Sequence, residues 1–80
     1  MHGMNISEVR ATTIQFKKTY FKLFLNNEQT LKVPYSDWAS LKNASPKQRE
    51  NYQLLSNGLG IHWSEIDEDL SVAGLIKRYS

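Results

Sequence analysis

The segment IHWSEIDED, Ile61 to Asp69, sets a His, a Trp and four acids within nine residues. Such groups could bind a metal through carboxylate oxygens. They could also exchange protons as an acid and base pair. Glu65, Asp67, Glu68 and Asp69 are the candidate oxygen donors, and His62 is the lone imidazole beside them. An EF-hand loop needs alternating oxygen ligands, a central Gly and a closing bidentate Glu. Asp67 and Asp69 alternate, but the central Gly position falls on Val72, and Leu70 and Val72 are needed for the core. A zinc site needs more His or Cys than His62 and His2 supply. No metal and no cofactor is therefore expected.

Catalysis is disfavoured on similar grounds. Two carboxylates acting on a sugar need a cleft between them, about 5–10 Å across. A domain this small seldom forms one. There is no nucleophile elbow and no phosphate-cradling glycine loop. The expectation is a protein that is not an enzyme. The plainer reading of the acids is electrostatic. Acids just before a helix favour its N-terminal half-charge, by about 0.3–1 kcal/mol each. Asp69 or Ser71 can cap the orphan amides, with Ile66 and Leu70 turned inward and Trp63 anchoring the segment.

The bases have a pattern of their own. Residues 1–35 hold Arg10, Lys17, Lys18, Lys22 and Lys32 against Glu8 and Glu28, although the whole chain carries only +2. With Tyr20 and Phe24 these bases could form a basic sheet face with rings for stacking nucleic-acid bases. No Lys-Gly-Phe run of the RNA-recognition type accompanies them. A solvated sheet surface is the simpler account.

These side chains need elements to position them. Val9–Phe16 (VRATTIQF) is rich in β-branched residues and alternates, as a strand does. YFKLFL places Phe21, Leu23 and Leu25 on one face and Tyr20, Lys22 and Phe24 on the other. After the turn residues of Asn26–Gln29, TLKVPY puts Leu31, Val33 and Tyr35 on one side. The three make a β-meander with one buried face, and Pro34, lacking a donor, sits at a strand end or edge. Ser36 can then cap a short helix, DWASLKNA, in which Trp38 and Leu41 share a face. Ser45, Pro46 and Gln48 form a capping box with proline at the first helical position. That helix is expected to run through PKQRENYQLLSN to Gly58, with Tyr52 and Leu55 inward and Lys47, Arg49, Glu50 and Asn51 facing water. LGIHW reads as a brief strand with Ile61 and Trp63 inward and His62 opposite. From Ser71, Val72, Leu75, Ile76 and Tyr79 lie on one helical face, with Lys77 and Arg78 in the last turn.

Strands followed by helices predict an α+β domain: a three- to four-stranded, mainly antiparallel sheet with two to three short helices packed on one face. Eighty residues make a single domain, one that buries only about 60% of its unfolded surface. Residues 1–5 are expected to be disordered or an appended leader, with Met4 as an alternative start. There is no Cys, which fits a reducing compartment. No apolar run is long enough to span a membrane, and no secretory leader is visible. A cytoplasmic protein is expected.

The closing stretch IHWSEIDEDLSVAGLI resembles the signature of a widespread bacterial domain-of-unknown-function family: hydrophobic-His-Trp, an acid, hydrophobic-Asp-Glu-Asp, hydrophobic-Ser-Val and Gly-Leu-Leu. The preceding FKLFLNNEQTLKVPYSDWASLKNASPKQRENYQLLSNGLGIHW is similar to the family's strand, turn, strand ending in Val-Pro, aromatic-plus-Leu helix and "A-[ST]-P" helix start. The resemblance runs from about Val9. It departs at the turn, where NNEQ replaces the family's usual glycine. It implies a small α+β domain that also occurs ahead of helix-turn-helix domains. It implies as well a protein partner encoded nearby, since some members pair with a small neighbour in apparent toxin–antitoxin modules. No helix-turn-helix segment follows in this chain, so DNA binding is not carried over, and neither is any catalytic residue.

The expected function is accordingly a small protein-binding, regulatory module of the antitoxin kind. The contact residues expected are Tyr35, Trp38, His62, Trp63, Asp67, Glu68 and Asp69. The alternatives are a nucleic-acid-binding module using Arg10, Lys17, Lys18, Lys22 and Lys32, or a structural domain with no site. An exposed edge strand could pair two copies into a homodimer.

Overall fold

The computed structural model describes residues 8–80; the expectation for residues 1–5 lies outside them. Three strands form as their alternation requires. β1 (Ala11–Phe16), β2 (Tyr20–Leu25) and β3 (Thr30–Pro34) pair antiparallel in that order. Phe21, Leu23 and Leu25 of β2 and Leu31 and Val33 of β3 are buried, while Tyr20, Lys22, Phe24 and Lys32 point outward. β1 alternates less cleanly than its sequence suggests, because the register slips between Ala11 and Thr13. A bulge of this kind adds one residue to one strand and leaves a group unpaired; here the Thr12 hydroxyl donates to the Phe24 carbonyl at 3.1 Å. The β2–β3 turn closes with Glu28 N–H on the Leu25 carbonyl at 3.2 Å, and Glu28 takes φ +70.

A 3-10 turn, Tyr35–Asp37, leads into α1 (Ala39–Lys42). The residue ahead of α1 is Trp38, in extended conformation and without a side-chain cap, so Ser36 does not have the capping role expected of it. α2 begins as expected. Ser45 Oγ accepts from Gln48 N–H, Gln48 Oε1 accepts from Ser45 N–H, and Pro46 leads. It then stops at Glu50, well short of Gly58.

The physical reason lies in the next sheet. Ile61 and Trp63 are fully buried in β5 (Gly60–Trp63), and a buried strand must pair its backbone polar groups. β4 (Gln53–Leu55) and β6 (Glu68–Ser71) flank it antiparallel and do so. Three residues expected in a helix are thus drawn into a strand, and the acids expected ahead of a helix occupy a hairpin instead. A second 3-10 turn, Ser56–Gly58, joins β4 to β5. Ser71 does cap α3 (Val72–Tyr79), its Oγ accepting from Gly74 N–H at 3.2 Å.

The fold is α+β with antiparallel strands and short helices, as the patterning implies. Among the described residues six strands divide into two sheets of three, where a single sheet of three or four was expected. One hydrophobic cluster joins them: Phe21, Leu23 and Val33 from the first, Ile61, Trp63 and Leu70 from the second, Leu41 from α1, and Val72 and Leu75 from α3. Phe21 meets Trp63 with ring centroids 6.2 Å apart and Tyr35 at 6.3 Å, and Phe16 bridges Phe21 and Tyr52. Aromatic pairs of this kind contribute about 0.5–1.5 kcal/mol each beyond area burial. Among the described residues no helix is long and apolar enough to cross a membrane.

Candidate functional site

The second sheet positions the candidate residues by the two-residue period of its strands. Ile61, Trp63 and Leu70 turn inward, so His62 and Asp69 turn outward and stand directly opposite one another. His62 Nδ1 and Asp69 Oδ1 lie 2.6 Å apart, with the His side chain 26% exposed and the Asp 69%. The Asp69 carboxylate accepts from Nδ1–H, which fixes the orientation of the imidazole. Gln53 and Leu55 of β4 and Gly60 and Ser71 share this outer face by register. Because Gly60 has no side chain, a hollow of about 400 Å³ opens among Leu55, Leu59, Gly60, Leu70, Asp69 and Ser71. Leu55 is 42% exposed, the one large exposed hydrophobic residue among those described.

The four acids do not converge. Glu65 accepts from Asn51 Nδ2 at 3.2 Å, past the end of α2. Asp67 sits in the β5–β6 turn at φ +53, a conformation that Asp tolerates better than most residues. Glu68 accepts from the Ser40 hydroxyl of α1 and from Asp69 N–H. Asp69 holds His62. Glu65 and Glu68 tie the end of α2 and α1 to the hairpin, Asp69 acts within it, and none of the four caps α3.

Trp63 is fully buried, and its Nε1–H donates to the Arg49 carbonyl at 2.8 Å. Tyr35 is buried as well; its hydroxyl donates to the Lys17 carbonyl at 2.7 Å. Burial raises the Tyr35 pKa, and the Arg49 charge opposes the rise. Trp38 packs on Tyr79 at 6.0 Å, beneath the Arg78 guanidinium. The Tyr79 hydroxyl donates to Asp37, which Arg78 also approaches at 3.5 Å. Burial, followed by this bond and the Asp37 charge, pushes the Tyr79 pKa up to about 12. These aromatics hold the core and the end of α3.

Arg49 was expected to face water with Lys47, Glu50 and Asn51. It is half-buried. Its Nε donates to the Leu41 carbonyl at 2.8 Å, an NH2 donates to the Lys42 carbonyl at 3.0 Å, and the guanidinium stacks 3.9 Å from the Tyr35 ring centroid. Only the tertiary meeting of α1, α2 and Tyr35 reveals it; nothing in PKQRE marks it. Of the five bases, Lys22 and Lys32 stand opposite one another on the outer face of the first sheet, with Lys32 Nζ 4.4 Å from the Tyr20 centroid. Lys17 and Lys18 lie in the β1–β2 turn, and Arg10 donates to the Ser56 carbonyl at 2.8 Å. The five do not form one face.

No curated protein matches the chain. Two solved structures share its fold. A crystal structure of a protein of unknown function from Rhodospirillum rubrum is 30% identical, with TM-score 0.77 over 89% of this chain and 88% of that one. A solution NMR structure of an uncharacterized protein from Chromobacterium violaceum is 24% identical, with TM-score 0.72 over 85% of this chain. This chain spans 64% of that protein. A family model described as "Protein of unknown function (DUF2442)" matches residues 11–79. That match runs from the first residue of β1 to the last of α3, and the chain belongs to this family.

Proposed function

We propose that the chain is a small protein-binding, regulatory module, antitoxin-like in its dependence on a partner encoded nearby, and not an enzyme. One observation carries the reading: the outer face of the second sheet has an apolar hollow over Gly60, with Leu55 exposed at its edge and His62, Asp69, Gln53 and Ser71 around it. An apolar centre with a polar rim is the anatomy of a protein contact. A few buried anchors in such a centre carry most of the binding energy. The oriented His62 imidazole supplies one directional hydrogen bond at the rim. The test is co-expression with the product of an adjacent gene, followed by size-exclusion chromatography and calorimetry. A stoichiometric complex weakened at least about tenfold by Leu55→Asp, with folding intact, supports the reading. Separate elution of the two proteins in mild salt overturns it.

A second reading has one observation behind it. Lys22 and Lys32 are directly opposed across β2 and β3, with Tyr20 and Phe24 flanking Lys22. Like charges so placed repel, and a polyanion stacked on the rings would relieve them. Binding of single-stranded nucleic acid should then fall steeply with salt and vanish in Lys22→Ser/Lys32→Ser.

A further inference from the structure

A second concave region lies away from both faces, where the β1–β2 turn meets α1 and α2. Two hollows of about 200 Å³ each share Lys18, Tyr35 and Arg49 as a common wall. One is completed by Thr19, Ser36 and Lys42. The other is completed by Phe16, Lys17, Pro46 and Glu50. Together they come within the range of small-ligand clefts, about 300–1,000 Å³.

Their chemistry differs. The first hollow gathers three cations, Lys18, Lys42 and Arg49, with the Thr19 and Ser36 hydroxyls and no acid. Among the described residues Lys17, Lys18, Lys42 and Arg49 form no ion pair, although they converge from three separate elements. Such convergence raises the local potential and favours an anion. Arg49 is held in place beforehand by the Leu41 and Lys42 carbonyls and by the Tyr35 ring. A fixed guanidinium loses little freedom when it binds. The second hollow adds Phe16, Lys17, Pro46 and Glu50 to the shared Lys18, Tyr35 and Arg49, so it offers apolar walls and one carboxylate acceptor beside the cations.

We infer that this paired cleft binds an organic phosphate of about mononucleotide size. The phosphate sits among Lys18, Lys42, Arg49, Thr19 and Ser36. A planar group lies against Phe16 and Pro46, with an amino group donating to Glu50. The inference is independent of the protein-binding reading, because the cleft shares no residue with the hollow over Gly60.

The test is a titration of the full chain, labelled with nitrogen-15, followed amide by amide in NMR spectra. The probes are inorganic phosphate, adenosine monophosphate and a short oligothymidylate. Adenosine monophosphate should give saturable shifts at Lys18, Thr19, Ser36, Lys42 and Arg49 and at Phe16 and Glu50. Inorganic phosphate should shift the first group alone, and more weakly. Lys18→Gln/Lys42→Gln changes two exposed side chains. It should weaken the mononucleotide at least about tenfold through the loss of charge-assisted contacts, with the remaining spectrum unchanged. Three results would overturn the inference: no saturable shift with adenosine monophosphate, equal affinity in the double variant, or shifts from the oligonucleotide alone, centred on Tyr20, Lys22 and Lys32.

Discussion

Gly58 allows the sharpest test of how the two sheets are joined. It ends the 3-10 turn between β4 and β5 at φ +96, pressed against the start of β1. A Cβ there would lie 2.3 Å from the Ala11 carbonyl oxygen, 3.1 Å from Ala11 N and 3.2 Å from Arg10 Cβ. Two costs combine in Gly58→Ala. An L residue in the left-handed region costs about 1–2 kcal/mol. The steric contact is with backbone, so either the turn or β1 must retreat by about 1 Å, which costs a further 1–3 kcal/mol, as overpacking does. The sum is about 2–5 kcal/mol, against a total stability of about 4–12 kcal/mol for 80 residues. At about 4–8 °C per kcal/mol in a domain of this size, Tm should fall by at least about 8 °C.

Gly74→Ala is the matched control. Its Cβ would meet only Ser71 Cβ and Oγ, at 3.7 and 3.8 Å. It would gain about 0.5–1 kcal/mol of helix propensity. Thermal and urea unfolding, read by fluorescence of the buried Trp63, should show Gly58→Ala strongly destabilised with an unchanged m-value, and Gly74→Ala equal to or above the parent. A Gly58→Ala protein melting within about 3 °C of the parent would refute the contact between the turn and β1.

Three further outcomes are expected. Glu28→Gly should raise stability by about 1 kcal/mol, because Glu28 holds φ +70, where glycine is unstrained; a lower Tm on calorimetry would contradict the turn geometry. Raising the pH from 10 to about 12 should lower stability, because the unfolded chain loses its Tyr79 proton near 10 while the folded chain keeps it to about 12. The raised pKa of Tyr35 acts in the same direction above pH 10, so Tyr79→Phe should reduce this alkaline loss without abolishing it, measured as the slope of urea midpoint against pH. Ser45→Ala should cost about 1 kcal/mol by opening the capping box of α2, and an unchanged urea midpoint would count against that box.

The site was only partly legible in the sequence. His62 opposite Ile61 and Trp63 follows from strand alternation, and the structure adds its partner. Asp69 could not be paired with it in advance, because the pairing depends on β6 lying beside β5, and DEDLS also reads as the lead-in to a helix. Arg49 was invisible because its carbonyl partners belong to α1. Gly60 reads as part of the brief strand LGIHW and gives no sign of a hollow, which needs Leu55 and Leu59 beside it.

The sequence by itself determined the meander of β1, β2 and β3, the faces of β2 and β3, the capping box at Ser45 and the amphipathic last helix. Each is local: alternation, a turn, a cap or a period of 3.6 is written within a dozen residues. Only the tertiary structure decided where α2 stops, that Gln53–Leu55 and Glu68–Ser71 are strands, and how the charges are shared out. The reason is the buried β5. Once Ile61 and Trp63 enter the core, the backbone on both sides of them must find partners, and that demand outweighs the helical preference of QLL and the capping preference of the acids. The same pairing fixes His62 to Asp69 and opens the hollow over Gly60.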